Sequence, residues 1–67
     1  MSAGVRLSPR QSEVLGLLAE GVGAQAIARQ LGLSESTVRN HIRDLLRRLD
    51  CHSQLQAVAR AREQHLL

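Results

Sequence analysis

Between Ser34 and Leu49 the chain reads SESTVRNHIRDLLRRL, and this stretch limits the fold more than any other. Val38, Ile42, Leu45, Leu46 and Leu49 recur at the i, i+4, i+7, i+8, i+11 spacing that gathers side chains on one face of an α-helix. Such a face must be buried, so the helix needs other elements around it. On the opposite side Ser36, Asn40, Arg43 and Arg47 repeat at nearly the same spacing, with Arg39 on the shoulder. Ser34 supplies an N-cap oxygen for a free first-turn N–H, and Glu35 just inside complements the positive helix end. The arginines at 39, 43, 47 and 48 run toward the C-terminal end, where they suit the helix dipole as well as an anionic ligand. A row of arginines by itself is more often a solvated face than a reader of nucleic acid, so its surroundings decide.

Those surroundings are three more helices. Ser8-Pro9-Arg10-Gln11 combines an N-cap serine, a proline at the first helical position and a glutamine three residues after the cap, a capping box. It predicts a first helix running to about Glu20, burying Val14, Leu15, Leu17 and Leu18 and broken by Gly21-Val22-Gly23. A short second helix, Ala24 to Leu31, buries Ile27, Ala28 and Leu31, and Gly32-Leu33 turns directly into the Ser34 cap. A short helix, a glycine turn and a second helix with a polar outer stripe match the helix-turn-helix plan. After Asp50-Cys51-His52, Ser53 and Gln56 predict a second capping box and a fourth helix reaching about Gln64. Ala57, Val58 and Ala61 form its buried arc. Leu55, Ala59 and Leu66 form another, with the Arg62 stem between. Two readings of that second arc stand side by side: a dimer seam, with small Ala59 permitting close approach, or scattered surface Ala and Leu that need no explanation.

Composition narrows the partners. A chain of 67 residues is one domain whose core supplies only a few kcal/mol of net stability. There is no Phe, Trp or Tyr, so the core is aliphatic and single-strand binding by stacking bases on aromatic rings is excluded. All nine basic residues are Arg; against six acids they give a formal charge of +3 and a pI near 11.1, a balance that favours a polyanion. Arginine suits bidentate contacts with guanine edges and phosphates. One cysteine cannot close an internal disulfide. No apolar run approaches the roughly 18 residues of a membrane span or the ~7 to 15 of a signal-peptide core, so the expected setting is cytoplasmic, with no membrane. Residues 1–6 read as a flexible lead-in and 7–67 as the folded domain.

LSPRQSEVLGLLAEGV, then IARQLGLSESTVRNHI, then LLRRLDCHSQLQAVARA resemble the LuxR/GerE-type helix-turn-helix domain, found at the C-terminal end of NarL/FixJ-type response regulators and of quorum-sensing regulators. The resemblance covers about Leu7 to Arg62, and its most specific pieces are LSPR before EVL, the EG turn and LGLSESTVRNH. It implies an all-α, four-helix fold, a tri-helical core plus a C-terminal dimerisation helix, with recognition helix 35–49 in the major groove of double-stranded DNA. Carried over, Arg39 and Arg43 each pair with guanine O6/N7 and Asn40 with adenine N6/N7, while Gln25, Ser36, Thr37 and Arg47 contact phosphate. Leu55, Ala59, Arg62 and Leu66 then make a homodimer interface on two half-sites, and RNA polymerase is a further candidate partner. The chain departs from the family upstream. A Ser-Asn-Lys-Glu run common at the start of the second helix is Gly23-Ala24-Gln25-Ala26 here, so a usual phosphate-binding lysine is replaced by the uncharged Gln25. Gln54 likewise stands where arginine is frequent.

Two rivals to a transcription regulator's DNA-binding domain share some of these features. A sigma-factor promoter-reading domain has a similar EVL…EG…IA…LG…TV pattern, but tends to continue in a basic helical run where this chain breaks at Asp50-Cys51-His52-Ser53. An interaction module would pair through the fourth helix with a full-length regulator and withhold it from DNA. No Ser/His/Asp, paired-carboxylate or phosphate-loop constellation points to an enzyme. His41, Cys51, His52 and His65 lack the spacing of a structural zinc site, so neither metal nor cofactor is expected. His41 fits packing or a phosphate contact, and Cys51, between Leu49 and Leu55, fits a small buried thiol.

Overall fold

The computed structural model describes residues 6–67, so all of the expected lead-in except Arg6 lies outside the described residues. Four helices follow in order: α1 (Pro9–Ala19), α2 (Ala24–Leu31), α3 (Glu35–Arg48) and α4 (Gln54–Glu63). There is no strand among the described residues. Helix α3 packs against both α1 and α2, and α4 packs against α1 and α3.

The helix starts follow their caps. The Ser8 hydroxyl accepts from the Gln11 N–H at 3.1 Å while the Gln11 side chain accepts from the Ser8 N–H at 3.0 Å, the reciprocal pair expected of a capping box. At α4 the reciprocity shifts by one residue. The Ser53 hydroxyl accepts from the Gln56 N–H at 3.1 Å, but the Gln56 side-chain Oε1 accepts from the His52 N–H at 2.7 Å instead of from Ser53. Gln56 therefore ties down the loop before the cap as well as the helix after it.

The helix ends share one device. Beyond α1, Val22 N–H donates to Leu17 O and Gly21 N–H to Leu18 O, each at 3.0 Å; beyond α3, Cys51 N–H reaches Leu46 O at 2.8 Å and Asp50 N–H Arg47 O at 3.2 Å. Beyond α4, Leu66 N–H reaches Ala61 O at 2.8 Å and His65 N–H Arg62 O at 3.2 Å, and at the end of α2 Leu33 N–H reaches Ala28 O at 2.9 Å. This C-terminal motif needs one residue in the left-handed region. Gly21, Gly32, Asp50 and His65 fill that role, with φ of 86°, 68°, 56° and 59°. Each reversal turns an apolar residue back toward the protein: Val22, Leu33 and Leu66 pack against the main core, and Cys51 is buried.

That core takes Val14 and Leu15 from α1, Ile27 and Ala28 from α2, Val38, Ile42 and Leu45 from α3, and Ala61 from α4. A satellite of Leu49, Cys51 and Ala57 joins it through Leu46 and Leu66. Leu46 is thus only half-buried, a bridge between clusters where the α3 periodicity alone predicts a core position. The Cys51 thiol is buried as expected and lies 3.2 Å from the Leu49 carbonyl, to which it donates.

Leu66 departs from its expected place. A helix carried on past residue 63 would align it with Leu55 and Ala59. Instead α4 stops at Glu63, His65 reverses the backbone, and Leu66 packs against both core clusters.

Candidate nucleic-acid interface

The outward side of α3 is built from a firmly held first turn. Ser34 Oγ accepts from the Thr37 N–H at 3.1 Å and donates to Thr37 Oγ1 at 2.9 Å. The Thr37 hydroxyl accepts there, so its own proton remains free to donate to a ligand. With Val38, Ile42 and Leu45 buried on the inner side, Ser36, Arg39, Asn40, Arg43 and Arg47 are all exposed. Ser36, Asn40, Arg43 and Arg47 form the stripe that the sequence places opposite the core, with Arg39 on its shoulder.

Their contacts differ. Arg39 Nε and Nη2 both donate to Glu35 Oε2, at 3.1 and 2.6 Å. Arg43 Nη1 makes a long contact of 3.4 Å with Asn40 Oδ1, and Arg47 lies 3.8 Å from Asp44. Among the described residues Arg43 makes no ion pair, so its charge is the least committed of the three. The long contacts of Arg43 and Arg47 contribute little to stability. Arg39, Ile42, Arg43, Leu46 and Gln54 line a shallow groove of about 230 Å³. Gln54, at the first position of α4, is brought beside the arginine stripe although it is 11 residues beyond Arg43 in the chain.

Gln25 lies on a different element, exposed in the first turn of α2. Gly23, the N-cap there, offers no side-chain hydrogen bond, so the first-turn N–H groups of α2 are left to outside acceptors.

A second surface lies across α4. Leu55 is 82% exposed, and Ala59 and Arg62 are exposed beside it. With Leu18 and Ala19 of α1 and Val58 they line an open groove of about 530 Å³. Leu18 and Ala19 were not visible from the α4 pattern, because only the packing of α1 on α4 brings them there.

Two further side chains escape a reading by stripes. The Arg60 guanidinium donates through Nη1 to the carbonyls of Leu49 at 3.0 Å and Asp50 at 3.2 Å, clamping α4 onto the end of α3. Glu35, read from sequence only as a complement to the helix dipole, is the partner of Arg39; its i, i+4 spacing was the available signal. Among the described residues no three His, Cys, Asp or Glu side chains gather in a metal-binding group, and no helix is long and apolar enough to cross a membrane.

The chain matches the family described as bacterial regulatory proteins, luxR family (GerE), over residues 5–61. The chain belongs to that family. Its four helices are the helix-turn-helix DNA-binding domain of a transcription regulator, not an enzyme. It is 37% identical over 57 residues to the transcriptional regulatory protein DesR of Bacillus subtilis (strain 168), covering 85% of this chain and 29% of DesR. The structure of the transcription factor GerE superposes with a TM-score of 0.86 at 33% identity, covering 91% of each chain. VqmA of Vibrio cholera, solved in a complex with ligand and DNA, superposes with a TM-score of 0.88 at 32% identity, covering 98% of this chain and 29% of VqmA. The chain thus spans under a third of DesR and of VqmA. The family match also selects the regulator over the sigma-factor alternative.

Proposed function

We propose that this LuxR-type domain reads double-stranded DNA by seating α3 in the major groove, with Arg39, Asn40 and Arg43 toward base edges and Gln25, Ser36, Thr37 and Arg47 toward phosphates. The observation that carries the reading is that Asn40 and Arg43 are exposed opposite buried Val38, Ile42 and Leu45, with exposed Arg39 on the shoulder, on a helix whose start is fixed by Ser34. Arginine matches guanine O6/N7 and asparagine matches adenine N6/N7 by geometry. The free Thr37 proton and the open first turn of α2 suit phosphate oxygens. VqmA, with the same fold, is a DNA complex.

One domain offers one such helix, so specific affinity calls for a second copy on a second half-site. The groove around Leu55, Ala59 and Arg62 supports a homodimer there, since a leucine left 82% exposed beside two alanines is suited to a close apolar contact. The setting is cytoplasmic, and a regulator bound at a promoter has RNA polymerase as its further partner. Selection of bound sites from random duplex DNA tests the whole reading. The expected product is a short repeated half-site containing guanine and adenine at fixed spacing. Recovery of no preferred sequence would sink it. No binding of this chain to DNA, together with loss of a full-length regulator's own DNA binding when this chain is added, would favour the interaction-module alternative.

A further inference from the structure

Arg39 differs from the other two arginines of the outward side, Arg43 and Arg47, in how it is held. Its Nε–H and one Nη2–H both go to a single oxygen, Glu35 Oε2, at 3.1 and 2.6 Å, whereas Arg43 and Arg47 have only contacts of 3.4 and 3.8 Å. The backbone from which Glu35 projects is fixed, because it belongs to the first turn that the Ser34–Thr37 hydrogen bonds hold. A guanidinium has five N–H donors in a rigid plane. The bonds to Glu35 use the side edge, Nε and Nη2. They leave the end edge, one hydrogen each on Nη1 and Nη2, as a free parallel pair, and the Arg39 side chain is 64% exposed.

The geometry points to Glu35 as a positioning residue that sets the sequence specificity of α3, by holding Arg39 with its end edge free for the O6 and N7 of one guanine. The inference rests on the proposed reading of Arg39 as a base contact. Two consequences follow from the chemistry. A flexible arginine can serve any nearby phosphate, but one tethered along its side edge has a single bidentate surface left. The Glu35 carboxylate also repels phosphate oxygens, so the pair loses more when the base is wrong than a lone arginine would.

The test compares the parent with Glu35→Ala, Glu35→Gln and Arg39→Ala on short duplexes at one fixed salt concentration, with helix content checked by circular dichroism. The base pair concerned is the one whose preference Arg39→Ala relaxes. Glu35→Ala is expected to reduce discrimination at that base pair roughly five- to tenfold, while binding to unrelated duplex tightens because a negative charge has gone. Glu35→Gln retains one carbonyl acceptor and should fall between; it also carries the test should the alanine variant lose structure. Unchanged discrimination in the folded Glu35 variants, with Arg39→Ala still losing it, would overturn the inference and leave the reading of Arg39 intact. If Arg39→Ala relaxes no base pair, both fall together.

Discussion

Gly16 and Gly32 can be told apart by a single methyl group. An ideal Cβ built at either glycine meets no atom beyond its local backbone within 4 Å, so the outcome depends on backbone conformation alone. Gly16 lies inside α1, where glycine is less favourable than alanine by about 0.5–1 kcal/mol because of the freedom it loses on folding. Gly32 ends α2 with φ of 68°, where a Cβ approaches the following carbonyl at a cost of about 1–2 kcal/mol. Gly16→Ala is therefore expected to raise stability and Gly32→Ala to lower it. For a domain of this size about 1 kcal/mol moves the melting midpoint by roughly 4–8 °C. The two variants should then separate by about 6 to 24 °C in thermal melts followed by circular dichroism, with the parent between them. Gly32 also sets the direction in which α3 leaves α2, so its substitution should weaken DNA binding beyond the loss of folded protein. Shifts of the same sign in both variants would refute the reasoning, because they would mean that φ at residue 32 is not what its substitution perturbs.

Arg43→Ala and Asn40→Ala should leave helix content intact while each loses about 1–3 kcal/mol of discrimination at one base pair, measured by competition with single-base-pair variants of the selected site. Ile42→Ala should cost about 2–5 kcal/mol and Leu46→Ala distinctly less, since Ile42 is 6% exposed and Leu46 only half-buried; equal melting midpoints for the two would show that the buried face of α3 is assigned wrongly. Ala59→Arg should leave the monomer folded, because buried Ala57 and Ala61 still hold α4 to the core, yet abolish cooperative binding to two half-sites spaced about 34–36 Å apart. Titrations of paired and single half-sites at one salt concentration decide it, and undiminished cooperativity would place the seam elsewhere.

Local chemistry along the chain determined much of this protein. Ser8, Ser34 and Ser53 cap helices that begin at Pro9, Glu35 and Gln54, and the 3.6-residue spacing separates Val38, Ile42 and Leu45 from Asn40, Arg43 and Arg47. These features are legible because a cap or a stripe involves residues only three or four apart, whose geometry a helix dictates. The motif resemblance carried the family and the identity of the candidate reading face.

Tertiary structure decided the rest wherever a residue's partner is remote or the helix ends early. Helical periodicity cannot register that His65 reverses the chain, and so it aligned Leu66 with Leu55 and Ala59 instead of with the core. It could not bring Leu18 and Ala19 beside Leu55, set Gln54 next to Arg39 and Arg43, or direct Arg60 to the carbonyls of Leu49 and Asp50. Each of those relations depends on the angle at which α4 packs on α1 and α3. That angle comes from small buried Ala57 and Ala61 meeting side chains of other helices in a close-packed interior, a three-dimensional fit that no one-dimensional pattern encodes.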